Sequence, residues 1–362
     1  MYQTIKPLLF SLEPELAHDQ TVRALRLAQS LPPVQRAVEA LFHHEDPILA
    51  TECAGMSFIN PFGMAAGFDK RAELLAGLSA LGFGHVEVGT ITPQPQPGNQ
   101  PPRMFRLPED NALINRMGFN SVGMEVAARN LQNGASRRLM PTIRLGINIG
   151  KNKLTTNEHA VYDYLLAFDR LALLGDYVTI NISSPNTPGL RQLQERNALE
   201  HLLNALMARN RQLPAPLPLF VKVSPDETPT QLDDIVQAAL GSGISGIIAG
   251  NTTLSRENLR GAARGETGGL SGRPLTEHAR ATIRHLYGAT HGKLPIIGVG
   301  GVMNAQDAYG HIRAGATLVQ VYTALVYHGP GLVKTLKRNL AALLRRDGVQ
   351  SVREAVGTEF EG

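Results

Sequence analysis

Eight short apolar runs rich in β-branched residues, with a helix-length segment between most neighbours, constrain this chain more than any other feature. They are Phe62–Ala66, His85–Thr90, Leu145–Ile149, Val178–Ile182, Leu219–Val223, Gly246–Ala249, Ile296–Val299 and Leu318–Val321. Near-continuous apolar runs of this length are typical of parallel strands buried on both faces. Segments such as Glu158–Leu174 and Thr230–Leu240 carry helical spacing between them. A strand followed by a helix, repeated eight times, predicts an α/β protein built as a closed parallel (β/α)8 barrel, the TIM barrel. An open doubly wound sheet is the alternative, because periodicity does not prove closure.

A barrel of this kind takes about 250 residues, and the chain has 362. The surplus lies mainly at the start. Ile5, Leu8, Leu9 and Leu12, then Val34, Val38, Leu41 and Phe42, follow the spacing of one helical face, and Pro32-Pro33 breaks the segment. Two or three short amphipathic helices are expected, either packed on the body or offering an apolar platform to a membrane. Lys6, Arg23, Arg26 and Arg36 face Glu13, Glu15, Asp19, Glu39 and Glu45, so membrane contact there would rest on apolar insertion and not on charge. We divide the chain into a helical extension (1–45), a barrel (46–345) and a tail (346–362). A second insertion separates the second and third runs. It holds the turn-rich Gln94-Pro-Gln-Pro-Gln-Pro-Gly98 and a possible hairpin strand, Arg103–Leu107.

The net charge is +4 with no long basic run, so a nucleic-acid partner is not expected. A single cysteine, Cys53, cannot form an internal disulfide or hold an iron–sulfur cluster. Redox chemistry would then need an organic cofactor or a partner chain, and Cys53 reads as structural. No secretory signal and no stretch of about 20 apolar residues is present, so a cytoplasmic protein is expected.

Barrel active sites form at the carboxyl ends of the strands, and every run here ends near candidate groups. Lys70 follows the first, Thr90 ends the second and Asn148 lies in the third; Asn181 and Ser184 close the fourth. Lys222 lies in the fifth, Asn251 and Thr252 follow the sixth, Gly300 and Gly301 the seventh, Tyr322 and Thr323 the eighth. The glycine turn Ile297-Gly-Val-Gly-Gly301 occupies the place of the usual barrel phosphate site, where backbone N–H groups approach an anion closely. In Ile180-Asn-Ile-Ser-Ser-Pro-Asn-Thr-Pro-Gly189, Asn181 and Asn186 offer amides to a polar ring, and Ser184 a hydroxyl that accepts a proton only with a relay. The same segment also reads as a capped turn. Asn115-Arg-Met-Gly-Phe-Asn120 has the same two readings. A lysine near a barrel interior needs an anion, deprotonation or a route for its ammonium to solvent. Lys70 suits a carboxylate and Lys222 the electron-rich end of a flavin.

Phe62-Gly-Met-Ala-Ala-Gly-Phe-Asp-Lys70, Val88-Gly-Thr90, Asn115-Arg-Met-Gly-Phe-Asn120, Gly146-Ile-Asn-Ile-Gly-Lys-Asn152, Asn181-Ile-Ser-Ser-Pro-Asn-Thr-Pro-Gly189, Gly268-Gly-Leu-Ser-Gly272 and Gly298-Val-Gly-Gly301 together resemble the quinone-dependent dihydroorotate dehydrogenases, in order, from about residue 45 to 335. The resemblance implies one FMN per chain, held by Ala66, Gly67, Thr90, Asn148, Asn181, Lys222, Gly272, Gly301, Tyr322 and Thr323, with Phe68, Asp69 and Lys70 of the first motif. It implies that Lys70, Asn115, Arg116, Met117, Gly118, Phe119, Asn181, Asn186, Asn251 and Thr252 hold dihydroorotate. Ser184 would be the catalytic base, where soluble classes usually carry cysteine; Thr187, outside what the resemblance implies, is our candidate for the proton relay. Gly250 stands where the family often has threonine, so only a backbone contact to the flavin is expected there. The implied activity is oxidation of (S)-dihydroorotate to orotate in pyrimidine (UMP) biosynthesis. The electrons would pass to a membrane quinone, with the N-terminal helices on the cytoplasmic face of the membrane as a peripheral platform. The rival readings are a soluble fumarate- or NAD-linked dihydroorotate dehydrogenase, a Schiff-base aldolase using Lys222, and a non-catalytic barrel scaffold.

Overall fold

The computed structural model describes residues 2–133 and 143–360. All eight runs are strands: β1 (Phe62–Met64), β2 (His85–Ile91), β3 (Arg144–Ile149), β4 (Tyr177–Asn181), β5 (Leu219–Val223), β6 (Gly246–Ala249), β7 (Ile296–Val299) and β8 (Ala316–Val321). Each pairs in parallel with its neighbours in chain order, and β8 pairs with β1 through Val319↔Phe62 and Val321↔Met64. That pairing closes the barrel and leaves no edge, which removes the open-sheet alternative.

The strands divide their side chains between two cores. Val178, Val221, Ile247, Ile296 and Val319 belong to the large core they share with the helices. Their sequence neighbours Tyr177, Phe220, Ile248, Ile297 and Leu318 form a separate core inside the barrel. This is the period of two expected of strands. Small residues make space for large ones within it. A Cβ at Gly63 on β1 would lie 2.0 Å from the His85 ring, and one at Gly146 on β3 would lie 2.1 Å from the Tyr177 ring.

A hairpin of Thr51–Cys53 and Met56–Phe58 packs on the interior core. Its turn residues Ala54 and Gly55 both have positive φ (51° and 76°), as a two-residue hairpin of this hand requires. Phe58 meets His85 edge-on at 5.6 Å. Cys53 is buried in the same cluster, its thiol pushed up to about 12 by burial, as befits a packing residue.

One feature went beyond the sequence reading. Met104–Leu107 is a strand within the expected Arg103–Leu107, but its antiparallel partner Ala112–Asn115 also pairs with Gly269–Gly272 from the region after β6. This three-stranded sheet brings Asn115 and Gly272 beside the barrel strand ends. At the start, three helices form: α1 (Tyr2–Ser11), α2 (Pro14–Ser30) and α3 (Pro32–Phe42). At the other end Val352 and Ala355 are buried against the body, and Phe360 packs on Tyr287 at 5.2 Å. The last two residues of the expected tail lie outside the described residues.

Replacing Gly63 with Ala forces a methyl into the His85 ring, and a packed barrel interior has no free volume to absorb it. We expect a loss of about 1–3 kcal/mol or more of stability, measured by denaturant unfolding. Unchanged stability would show that the barrel base is loosely packed.

Candidate active site

The strand ends converge on one cavity, which encloses about 1180 Å³ up to and including its open mouth. Its wall is assembled from all parts of the chain. Ala66, Gly67 and Lys70 come from the loop after β1, and Thr90 from β2. Asn181, Ser184 and Asn186 come from β4 and its loop, and Lys222 from β5. Asn251 and Thr252 follow β6, Gly301 follows β7, and Tyr322 and Thr323 follow β8. The three-stranded sheet and its loops add Asn115, Met117, Gly118, Phe119 and Gly272.

Beneath the mouth lies a buried hydrogen-bond network. Thr90 Oγ1 donates to Asn148 Oδ1 at 2.6 Å, and Asn181 Nδ2 donates to Thr90 Oγ1 at 2.8 Å and to Asn148 Oδ1 at 3.1 Å. Ser183 Oγ donates to Asn181 Oδ1 at 3.0 Å and accepts from Asn251 Nδ2 at 2.8 Å. Strands β2, β3 and β4 and the β6 loop are thereby held in one register. Such a network is rigid when all its members are satisfied.

Ser184 is almost fully buried, and its hydroxyl accepts from the Asn186 N–H at 3.2 Å. Asn186 Nδ2 in turn donates to the Asn115 carbonyl at 3.1 Å, tying the serine loop to the central strand of the small sheet. Arg191 locks the same loop from behind, donating to the Ser183 carbonyl at 3.2 Å and to Asp226 at 3.0 Å. Thr187 Oγ1, Thr252 Oγ1, Asn120 Oδ1 and Gln320 Oε1 are buried without a hydrogen-bond partner. Three of these four residues line the cavity, and buried polar atoms are normally paired. The cavity thus fits a polar ligand. Gly300 and Gly301 turn at φ 121° and 73°, and a Cβ on Gly301 would lie 2.2 Å from the Thr276 backbone. Only glycine fits there, and a glycine turn in the cavity wall lets backbone N–H groups approach an anionic group closely. These features suit a flavin mononucleotide: glycine turns for its phosphate, amides and Lys222 for its ring edge.

The two lysines are both shifted downward from the ordinary lysine value. Burial lowers Lys70 to about 8, with Glu15 opposing and Arg103 adding to the drop. Burial lowers Lys222 as well, and Glu87 opposes it.

Five of the residues implied by the resemblance lie behind the wall and do not line it. Asn148 belongs to the network just described. Asp69 folds the loop after β1, accepting from the N–H groups of Arg71, Glu73 and Leu74, while burial pushes its carboxyl up to about 6. Phe68 packs edge-on against Tyr322 at 5.9 Å and against His18 of α2 at 5.2 Å. Arg116 directs its guanidinium to Glu266 at 2.7 Å and stacks over Phe105. Gly250 has φ 110° and packs so closely that a Cβ would lie 2.1 Å from the Val299 carbonyl oxygen. The sequence reading missed Gln320 and Ser271 in the wall and Glu87 beneath it. The only signal for Glu87 was a carboxylate in the middle of an apolar strand.

A closed barrel whose strand ends surround one cavity with two lysines, unpaired polar atoms and a glycine turn has the make-up of a cofactor-dependent barrel enzyme. Residues 48–344 match the family model for dihydroorotate dehydrogenase. The protein named dihydroorotate dehydrogenase (quinone) of Roseiflexus sp. (strain RS-1) is 56% identical over 99% of this chain and 98% of its own length. The one of that name from Anaeromyxobacter sp. (strain Fw109-5) is 53% identical over 98% and 96%. The crystal structure of the Eimeria tenella enzyme in complex with ferulenol superposes with a TM-score of 0.90 at 38% identity, covering 97% of this chain and 98% of that one. The chain belongs to the dihydroorotate dehydrogenase family, in its quinone-dependent class. It is an oxidoreductase of a flavin-dependent family.

An anion seated at Lys70 requires the ammonium form. Because burial holds the free lysine near 8, affinity for orotate is expected to be flat below that pH. It should weaken by up to about tenfold for each unit above it. Calorimetric titration across pH 6.5–9.5 checks this, and constant affinity would remove Lys70 from the anion site.

Proposed function

We propose that this chain oxidises (S)-dihydroorotate to orotate, a step of pyrimidine biosynthesis, with one bound FMN as the hydride acceptor and a membrane quinone as the final oxidant. The observation that carries the reading is the convergence of Lys70, Ser184, Asn186 and Lys222 on a single cavity. FMN, when bound, supplies the hydride acceptor and passes electrons on.

The chain's own residues then have distinct tasks. Lys70 pairs with the substrate carboxylate, and the backbone of Met117, Gly118 and Phe119 shapes the anion pocket beside it. Asn115, Asn181, Asn186 and Asn251 present amides to the ring and fix which face it turns inward. Thr252, with a hydroxyl that has no partner within the protein, completes that set. Ser184 takes the ring proton. A serine hydroxyl does this only if the proton moves on, and Thr187, on the same loop with an unpaired hydroxyl, is the candidate relay. Lys222 balances negative charge that develops at the ring edge of the cofactor. Ala66, Gly67, Thr90, Gly272, Gly301, Tyr322 and Thr323 are the proposed cofactor contacts at the cavity wall. Phe68, Asp69, Asn148 and Gly250 support them from behind, and Arg116 holds the substrate loop through Glu266.

The helices α1–α3 are proposed to rest on the cytoplasmic face of the cell membrane. Six of the thirteen exposed large hydrophobic residues among the described residues lie in them, Ile5, Leu8, Leu16, Leu27, Val34 and Leu41, and a seventh, Leu31, joins α2 to α3. No helix among the described residues is long and apolar enough to cross a membrane. The quinone's access is proposed to run past His18 of α2, which touches Phe68, which touches the cavity residue Tyr322. Burial, with Lys70 adding to the shift, keeps His18 neutral, near 3, so the passage stays compatible with an uncharged guest.

The purified protein should be yellow and should oxidise dihydroorotate with a soluble quinone analogue but not with fumarate. In Ser184→Ala, reduction of the flavin by dihydroorotate should slow by about 10²–10⁴-fold, while reoxidation by quinone changes little, as followed by stopped-flow absorbance. Equal slowing of both half-reactions would refute the serine assignment. A Leu8→Glu/Leu27→Glu variant should lose flotation with phospholipid vesicles yet retain its flavin. Undiminished flotation would exclude α1 and α2 as the contact surface.

A further inference from the structure

The barrel interior holds one carboxylate that no step above uses. Glu87, on β2, has no solvent exposure. Its Oε1 accepts from Asn148 Nδ2 at 2.7 Å and lies 3.9 Å from Lys222 Nζ. Its Oε2 accepts from Gln320 Nε2 at 2.9 Å, from Thr179 Oγ1 at 3.2 Å and from Tyr177 OH at 3.4 Å. Strands β3, β4, β5 and β8 therefore all direct a group at this one side chain of β2. A charge buried so completely is costly unless it is paired and hydrogen-bonded, and here it is both.

Two consequences follow from the chemistry of the partners. A carboxylate surrounded by donors accepts only, so the amides of Asn148 and Gln320 turn their NH2 groups toward it and their oxygens away. For Asn148 that leaves Oδ1 free to accept from Thr90 and Asn181, which sets the polarity of the network under the cavity floor. For Gln320 it leaves an unpaired Oε1 on a residue that lines the cavity. The second consequence concerns Lys222. Burial pulls this lysine toward its neutral form, and the single group acting against burial is Glu87.

We propose that Glu87 is a positioning residue for the oxidation: it holds Lys222 as an ammonium at the cavity floor and orients the Asn148 and Gln320 amides beneath the cofactor. The proposal rests on the reading of Lys222 as the group that balances charge at the reduced cofactor. Among the described residues no other charged group acts on Lys222. Tyr177, which faces Glu87 from β4, is held neutral because burial, and next Glu87 itself, push its phenol well above the usual range. His85, two residues earlier on β2, is neutral because burial pushes it down to about 3. Cys53 beyond Tyr177 is a neutral thiol. Thr179, Asn148 and Gln320 carry no charge.

The test reads Lys222 directly. Holoenzyme labelled with ¹³C at the lysine ε-carbon is titrated by NMR, with the Lys222 signal assigned from a Lys222→Gln sample. In the wild type the signal should stay that of an ammonium through pH 7. In Glu87→Gln its midpoint should fall by about one to three pH units, and in Glu87→Asp, which keeps the charge, by less. The midpoint potential of the bound flavin should fall in E87Q at the pH values where Lys222 has lost its proton. In a Lys222→Gln background E87Q should leave the pH dependence of that potential unchanged. An unmoved Lys222 midpoint in folded E87Q overturns the proposal. So does a wild-type midpoint below pH 7, which decides the matter even where E87Q does not fold. Absence of flavin from the purified protein, by contrast, would overturn the cofactor reading and leave the lysine titration to judge Glu87 alone.

Discussion

Closure of the strand ladder is the constraint on which the rest depends. Once β8 pairs with β1, every strand is covered by helices outside and by other strands' side chains inside. Backbone polar groups are then satisfied around the ring, and the only places left for unpaired chemistry are the two ends. The hairpin Thr51–Cys53/Met56–Phe58 packs into the interior core with Cys53 and Phe58. The cavity-lining side chains gather at the strands' carboxyl ends, where loops from distant parts of the sequence meet. Thus Lys70 and Tyr322, more than 250 positions apart in the chain, share one cavity wall.

The interior is built in levels of different polarity. Tyr177, Phe220, Ile248, Ile297 and Leu318 form an apolar level. Glu87, Asn148, Thr179, Gln320 and Lys222 form a polar one, in contact with the cavity through Lys222 and Gln320. Such a level is expensive to build, because each member must be satisfied by another. An apolar filling would be the simpler way to stabilise a barrel. Its presence directly below the cavity is therefore best explained by what it does for the cavity: it supplies charge and oriented dipoles from a side that water does not reach.

How much of this could be read from the sequence follows from what each feature depends on. The eight strands were legible because burial on both faces writes a continuous apolar run, and the observed bounds differ from the expected ones by at most two residues at either end. Closure was expected from the eightfold strand–helix repeat and not from any local pattern, since it depends on Phe62 meeting Val319. Strand-end residues such as Thr90, Asn181 and Lys222 were visible as polar groups after apolar runs. Glu87 was overlooked because a lone charge in a strand carries no sign of its partners, which arrive from four other strands. The three-stranded sheet was half seen for a similar reason: Met104–Leu107 announces itself locally, but Gly269–Gly272 is too rich in glycine to read as a strand until Ala112–Asn115 lies beside it. Phe68, Asp69 and Arg116 sit in motifs that line the site, yet their side chains turn to His18, to backbone N–H groups and to Glu266. A motif identifies a segment and does not say which of its residues face inward.

The N-terminal helices are joined to the barrel by contacts that would be superfluous if they were only a cover. Glu15 of α2 pairs with Arg103 at 2.6 Å, and that guanidinium also donates to the carbonyls of Pro97 and Asn99. Asn99 donates to the Arg116 carbonyl at 2.9 Å, within the loop whose Gly118 and Phe119 line the cavity. Tyr2 of α1 donates to the Val326 carbonyl at the other side, on the helix that begins at Thr323. The extension thus grips the cavity wall at two points, one on the loop proposed to hold the substrate and one next to the proposed cofactor contacts. A displacement of α1 or α2 would act on the residues that line the cavity through these contacts. The apolar exposure of α1–α3 and the geometry of the cavity wall are in this way joined in one mechanical unit, through Glu15–Arg103 on one side and Tyr2–Val326 on the other.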